Sequence, residues 1–466
     1  MSEGLLLIPL AAILLCNLPL GCLRQAAYPF GILFALFQAA TAVAYPWTGA
    51  GHCFFALQTD NLSRVMLLAI AIVTLAALMV GRSTIPEEKK RFQFTNLLLL
   101  AVVGMNGIVM VADVFTLYVF VEIVAVASFI LIAFHKDKDG LEGAFKYVVL
   151  SAVATVMMLS AIAVLLMVAG NTTFAAIAAG LAAPAGRHAL VLLAVAVFLC
   201  GLLIKSGIMP FHGWLPDAYS AAPAATSVLL AGIVTKTTGV YVLIRLIQSV
   251  FPASASINAV LMLAGAVSIV LGAFAAIGQS DFKRMLAYSS ISQVGYIVLG
   301  FAAGTPLAMA GAVLHLFNHS VFKSLLFVNA AAVEQQTGTR NMDQLGGLSA
   351  RMPVTSFSCL AGLLSTAGIP PFAGFWSKLI IVIALWQAGQ VGYAVTAILA
   401  SLLTLAYFLS MQRRVFFGQL RAGLEHTREA GLGILVPELL LTLITIAFGL
   451  LIPWLFGTFI LPIKGL

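Results

Sequence analysis

The sequence predicts an all-α integral membrane protein of about 14 transmembrane helices, with two inverted five-helix repeats and two discontinuous helices. Three observations predict it. The 466-residue chain is 62% hydrophobic and only 9% charged, whereas soluble domains carry about 25% charged residues. Its apolar runs are near the ~20 residues that cross a bilayer as helix, not the alternating runs of ~10 that build a membrane barrel. Two of the longer runs are interrupted by proline, five segments apart.

Cutting the chain at charged clusters and at Pro, Gly and Asn gives the segments in order. The first three are Leu5 to Gly21, Ala27 to Tyr45 and Leu62 to Gly81. The next five are Phe94 to Ala112, Val114 to Phe134, Ala144 to Ala169, Ala189 to Tyr219 and Ala222 to Ser249. Five more follow: Ile257 to Ile277, Met285 to Phe301, Pro306 to Val333, Val354 to Ala388 and Tyr393 to Phe417. Ile434 to Ile460 is the last. Nearly every residue is therefore expected to be helical. The chain divides into an N-terminal three-helix part (1–93), two five-helix units (94–249 and 250–417), and a C-terminal loop with the last helix (418–466). The start, Met1 to Gly4, lacks the basic region of a cleavable leader and runs straight into apolar sequence, so the first helix is expected to be retained.

The net charge of +8 belongs to topology rather than to nucleic-acid binding. Sixteen of the 24 Lys and Arg lie in short connections: Arg24; Arg82, Lys89, Lys90 and Arg91; Lys136, Lys138 and Lys146; Lys283 and Arg284; Arg340 and Arg351; Arg413, Arg414, Arg421 and Arg428. All fall in alternate loops, and the intervening loops hold only Arg187. Cytoplasmic loops carry the excess of Lys and Arg, so both termini are expected on the non-cytoplasmic side of the inner (plasma) membrane. Cys16, Cys22, Cys53, Cys200 and Cys359 form no CxxC pair and no cluster-like spacing. They read as small apolar helix residues, and no cofactor or iron–sulfur cluster is expected on this chain.

The seventh segment carries Ile208-Met-Pro-Phe-His-Gly-Trp-Leu-Pro216 and the twelfth Ser365-Thr-Ala-Gly-Ile-Pro-Pro-Phe-Ala-Gly374. Proline removes a backbone donor and clashes with the preceding turn, so Pro210 and Pro216, and Pro370 and Pro371, are expected to break their helices at membrane depth. Broken backbone there is tolerated only inside protein or beside water, and interruptions at matching positions point to an ion path. Five is odd, so the two units run in opposite senses across the membrane. Lys205 and Lys378 lie near the two breaks.

Ionisable side chains inside the apolar runs are the candidate site. Glu122 lies about nine positions into its segment, roughly 13 Å deep at 1.5 Å per residue, where it needs a cationic partner or a proton. Lys205 is its expected partner. Burial favours the neutral amine and a carboxylate favours the ammonium, so small rearrangements can switch the charge. Lys236, among hydroxyl neighbours in Gly232-Ile-Val-Thr-Lys-Thr-Thr-Gly, is placed to take the proton next. His315, His319 and Lys323 are four apart and share one helix face, a row suited to a proton wire. Two histidines at that spacing can also share zinc, but no third ligand is suitably spaced and Lys323 disfavours a cation, so no metal is expected. Lys378 ends the row. Asp113 and Asp217 lie near segment ends, where solvent or backbone amides satisfy them, and Glu334 and Glu438 are expected at the interface.

Four phrases resemble one family: Asp113-Val-Phe-Thr-Leu-Tyr-Val-Phe-Val-Glu122, Lys205-Ser-Gly-Ile-Met-Pro-Phe-His-Gly-Trp-Leu-Pro-Asp-Ala-Tyr219, His315-Leu-Phe-Asn-His-Ser-Val-Phe-Lys-Ser-Leu-Leu-Phe327 and Gly368-Ile-Pro-Pro-Phe-Ala-Gly-Phe-Trp-Ser-Lys378. They look like the antiporter-like subunits shared by respiratory complex I (NADH:quinone oxidoreductase), Mrp-type cation/proton antiporters and membrane-bound energy-converting hydrogenases. The resemblance covers roughly Phe94 to Phe417. It implies fourteen helices and a hydrophilic axis on which Glu122, Lys205, Lys236 and Lys378 fall, with His315 and His319 between the units. It also implies H⁺, with or without Na⁺, as the transported ion, other membrane subunits as partners, and a redox module held elsewhere in the complex. Ile123-Val-Ala-Val-Ala-Ser-Phe129, and a chain ending without a long lateral helix, are closer to the hydrogenase and Mrp branches.

The expected function is thus proton translocation, or Na⁺/H⁺ antiport, by one subunit of a redox-driven complex in the lipid bilayer, with no redox centre on the subunit itself. Two alternatives stand beside it: an Mrp-type antiporter subunit without a redox module, and a quinone-reactive subunit with His212 and Trp214 near the headgroup.

Overall fold

The computed structural model describes residues 3–18, 21–45, 49–52, 55–182, 188–251 and 254–463. Three helices precede the first unit: α1 (Gly4–Cys16), α2 (Gly21–Ala44) and α3 (Asn61–Thr84). The first unit follows as α4 (Glu88–Met110), α5 (Val114–Ile132), α6 (Lys138–Ala169), the short α7 (Phe174–Ala182), the half-helices α8 (His188–Ser206) and α9 (Trp214–Ala221), and α10 (Ala224–Ser249). The second comprises α11 (Ala255–Ile277), α12 (Phe282–Ala302), α13 (Pro306–Thr337), the half-helices α14 (Pro353–Ala367) and α15 (Ala373–Gln387), and α16 (Val391–Val415). The last long helix is α17 (Leu432–Leu450). Each of the fourteen segments read from the sequence is a helix or a pair of half-helices, and among the described residues twelve helices are long and apolar enough to span a membrane. The chain is a multi-pass membrane protein.

Starts and stops follow from local chemistry. Asp60, Asp113, Asp137, Ser254, Asp281 and Thr305 each precede a helix and accept from a backbone N–H in its first turn, satisfying donors that the helix leaves unpaired. Gly170 and Gly338 end α6 and α13 in the left-handed region. α10, α12 and α13 are buried almost throughout, while α2, α6 and α16 present apolar outer faces. In a bilayer those outer faces meet lipid or other subunits, and the buried helices form the interior.

Both predicted discontinuities are present, and in each the freed backbone groups find partners. After α8 the chain turns through Gly207 at φ +65°. The Trp214 indole N–H donates to the Ile204 carbonyl at 3.1 Å, and the Met209 N–H to Ser268 Oγ at 3.0 Å. Between α14 and α15, Asn318 donates to the Ala373 carbonyl at 2.9 Å and the Gly374 N–H to Ser365 Oγ at 3.2 Å. Pro210, Pro370 and Pro371 lie in the breaks as expected. Pro216 does not: it sits in the first turn of α9, where its missing N–H leaves no bond unmade.

Other departures have simple causes. Gly49–His52 and Ala56–Thr59 pair as an antiparallel hairpin, a non-helical element in a glycine-containing connection too short to span. α7 is an unpredicted helix of 9 residues, apolar but too short to cross, lying back along α6. α6 starts at Lys138, six residues before the apolar run, because Asp137 caps it. Cys16, Cys200 and Cys359 are free thiols, whereas Cys53 and Arg187 lie outside the described residues, as does the side chain of Cys22.

The basic loops converge on one face. Arg340 meets Asp281 and Asp139, Arg284 meets Asp217, Lys283 meets Glu334 at 2.8 Å, and Arg414 meets Asp343 at 2.6 Å. This is the geometry that the alternation of charged connections requires. One close approach sits deeper. A Cβ on Gly239 of α10 would stand 2.6 Å from the backbone N and Cα of Ser206 at the end of α8. Gly239→Ala is expected to cost about 1–3 kcal/mol through overpacking, read as a lowered midpoint of thermal unfolding in detergent.

Candidate functional site

Glu122 and Lys205 meet where α5, α6 and α8 converge. Lys205 Nζ donates to Glu122 Oε1 at 2.9 Å and to Ser151 Oγ at 2.7 Å, and Thr155 Oγ1 donates to Glu122 Oε1 at 2.6 Å. The lysine side chain is 1% exposed and the glutamate 30%. The pair is therefore lopsided: loss of the glutamate's charge strands a fully buried ammonium, while loss of the lysine's leaves a carboxylate that still has one hydroxyl donor. Ser151 and Thr155 were not among the residues singled out from the sequence. Their spacing of four, on one face of α6, was the available signal.

Lys236 is fully buried in α10, where the backbone is locally π-helical over Leu230–Val234 and Lys236–Tyr241. Its ammonium donates to the carbonyl of Ala231 in the preceding turn. π-Helical insertions are often found at functional sites, because the widened turn frees a carbonyl for such a contact. Lys205 and Lys236 are not hydrogen-bonded to one another among the described residues, so the structure does not place them in direct transfer contact.

α13 carries the middle of the row. The His315 and His319 rings stack with centroids 6.2 Å apart and planes 9° from parallel, as their spacing of four requires. His315 Nδ1 lies 2.8 Å from Ser377 Oγ of α15, the residue beside Lys378. Neither ring nitrogen of His319 has a hydrogen-bond partner among the described residues, nor does His315 Nε2. Lys323 donates to the Leu286 carbonyl at 3.1 Å and to Ser289 Oγ at 2.6 Å, and Tyr407 OH donates to that same serine at 3.0 Å. His319 stands within electrostatic reach of Lys236, Lys323, His315 and Lys378 at once. Of these, His315 is in ring contact with His319, while Lys236, Lys323 and Lys378 come from positions up to 142 residues apart in sequence.

Lys378 closes the row on α15. It is buried, its Nζ lies 4.3 Å from the Tyr296 ring centroid, and it has no hydrogen-bond partner among the described residues. Lys205 precedes its break and Lys378 follows its own, so the two lysines occupy opposite halves of their discontinuous helices rather than identical repeat positions.

Of the acids expected at segment ends, Asp113 caps α5, and Asp217 is held by Lys146 at 2.7 Å and by Arg284, cations rather than the expected solvent or amides. Glu334 is half-buried against Lys283, in keeping with an interfacial place. Glu438 lies near the start of α17 but does not face solvent. It is fully buried between α13 and α14, because α17 is packed into the bundle at its first turns. His212 is half-buried, its ring 6.4 Å from that of Tyr288, and Trp214 is buried in the break. Among the described residues no three His, Cys, Asp or Glu converge as metal ligands.

Buried titratable side chains on broken and π-distorted membrane helices define a class: polytopic membrane proteins whose interior accommodates ionisable groups. Residues 111–404 match the family described as NADH:quinone oxidoreductase/Mrp antiporter, TM. The chain is 36% identical over 357 residues to NADH-quinone oxidoreductase subunit N of Desulforudis audaxviator, covering 76% of this chain and 71% of that one. It is 31% identical over 395 residues to a Na⁺/H⁺ antiporter subunit of Alkalihalophilus pseudofirmus, covering 84% and 80%. The fold also matches a chain in the structure of the Mrp complex from Dietzia sp. DQ12-45-1b with a TM-score of 0.89 and 25% identity, over 97% of this chain and 95% of that one. The protein belongs to the NADH:quinone oxidoreductase/Mrp antiporter membrane-subunit family.

Proposed function

We propose that this chain is a proton-translocating subunit, with Na⁺/H⁺ exchange as the variant within the same family, of a multisubunit membrane complex. The observation that carries the proposal is the buried row itself: the Glu122–Lys205 pair, then Lys236, then Lys323, His319 and His315, then Lys378. Glu122 and Lys205 are the gating pair. Lys236 relays, the α13 groups connect the units 94–249 and 250–417, and Lys378 is the terminal site. Buried His315, His319 and Lys378 atoms without protein partners among the described residues are of the kind that ordered water satisfies.

The face gathering the basic loops is the cytoplasmic one by charge bias, which puts both termini outside, in the plasma membrane. Partner subunits supply whatever drives the switching, and any redox centre resides on them; this chain binds no cofactor. In the complex reconstituted into liposomes, Lys378→Met is expected to lower coupled proton movement about tenfold, the equivalent of about 1.4 kcal/mol on the barrier. An unchanged rate would remove Lys378 from the path. Repeating the measurement with Na⁺ replaced by choline separates the two ions: a rate that falls with Na⁺ removal identifies exchange.

A further inference from the structure

Glu438 is the one fully buried carboxylate among the described residues that forms no ion pair. It lies six residues into α17, about 9 Å from the helix start at 1.5 Å per residue, near the face of the basic loops. Asn329 Nδ2 donates to its Oε1. Its Oε2 is 3.4 Å from Thr355 Oγ1. That same hydroxyl lies 2.9 Å from Oε2 of Glu429, a half-buried residue of the loop between α16 and α17. Glu429 is itself anchored by the Val354 N–H at 2.6 Å, at the start of α14.

A threonine hydroxyl has one proton to give and two lone pairs to receive with. Lodged between two carboxyl groups, it serves Glu429, the nearer and better aligned to a helix N-terminus, where negative charge is favoured. The Glu438 oxygen facing the same hydroxyl is then satisfied only if Glu438 carries a proton and donates it. Burial of a carboxylate without a cation points the same way, because an isolated buried charge costs several kcal/mol. The side chains facing Glu438 are Asn329 from α13, Thr355 and the thiol of Cys359 from α14, and Glu429 from the loop. α3 and α15, which also pack on α17, contribute no ion pair to it among the described residues.

We propose that Glu438, Thr355 and Glu429 form a proton-exchange branch joining the basic-loop face to the α13 end of the row; this rests on the proton-translocating reading above. In the transfer step the Glu438 Oε2–H bond breaks as a Thr355 Oγ–H bond forms, and the hydroxyl's original proton passes to Glu429 Oε2. Nothing is oxidised and one proton moves toward the basic-loop face. Asn329 is six residues beyond Lys323 on α13, about 9 Å along the axis. Its Oδ1 is buried and unpartnered among the described residues, as are Ser358 Oγ of α14 and Gln412 Oε1 of α16.

The test is infrared spectroscopy of the full-length chain in liposomes, following the carbonyl stretch of protonated carboxylic acids and its shift on transfer to D₂O. The wild type should show a band that Glu438→Gln removes. Thr355→Val and Glu429→Gln should keep the band but slow its deuteration about tenfold, the rate equivalent of one lost hydrogen bond. A spectrum unchanged by Glu438→Gln overturns the proposal, as does deuteration at the wild-type rate in Thr355→Val. If Glu438→Gln fails to fold, the other two variants decide. The readout needs no transport, so it stands or falls separately from the function of Glu122 and Lys205.

Discussion

Glu122→Gln is expected to slow coupled proton movement by about a hundredfold or more in the reconstituted complex. The substitution keeps the shape and the bond from Thr155 but removes the counter-charge from a lysine whose side chain is 1% exposed. Breaking a buried pair from one side costs about 3–5 kcal/mol, and each 1.36 kcal/mol carried onto the rate is tenfold. Lys205→Ala should also slow it, though by less of a stranded-charge cost, and since the two act as one unit the double variant should be little slower than Glu122→Gln alone. Additive losses would mean separate roles, and rates near wild type in both would dismiss the gating pair. Thr155→Val, which removes only a donor to the carboxylate, should fall between wild type and Glu122→Gln.

The second large effect concerns the fold. Arg245 Nη2 donates to Asp60 Oδ1 at 2.8 Å and to Ser63 Oγ at 3.0 Å, and Arg245 Nη1 pairs with Asp60 Oδ2. Tyr241 OH donates to the Val109 carbonyl at 2.8 Å and accepts from Arg245 Nε at 3.0 Å. One buried network thus binds the start of α3, the end of α4 and the end of α10, opposite the basic loops. Asp60→Ala is expected to destabilise the protein by about 3–5 kcal/mol by leaving the guanidinium unpaired. Asp60→Ala combined with Arg245→Met should recover part of that, measured as the unfolding midpoint in detergent.

The pH dependence of this network has a definite sign. Burial pushes the Asp60 carboxyl up, but its hydrogen bonds and charge pairing with Arg245, aided by Ser63, outweigh it and hold the group below the usual aspartate range. A lowered native value means that the stabilisation is complete above the unfolded-state value. It is lost as pH falls through the native one. Acid unfolding of the wild type should therefore lose, in Asp60→Asn, the component attributable to this group.

Much of this was legible in the chain because membranes penalise charge so heavily. Alternating basic loops specify topology whatever the side chains between them, and a Glu and a Lys inside the fifth and seventh segments have few partners but each other. Hydroxyls carry no such signal: Ser151, Thr155, Ser289 and Ser377 look like any small polar residue in a membrane helix until the partner is placed beside them. Glu438 misled for a related reason. Its distance from the helix end suggested water, whereas the packing of α17 against α13 and α14, a long-range property, decides its surroundings. Pro216 likewise needed the register of α9, since proline in a first turn starts a helix and one turn later would break it.

The contact of Gly239 with Ser206 bears on time. With the Gly239 backbone packed directly on the backbone and hydroxyl of Ser206, α8 and α10 cannot slide past each other without a steric collision. Lys205 and Lys236 therefore change their separation by side-chain torsion, not by helix displacement. Rotamer changes take picoseconds to nanoseconds at exposed sites, whereas collective helix shifts take about microseconds to milliseconds. Relaxation measurements on these two buried lysines should find their motion local, without displacement of α8 against α10.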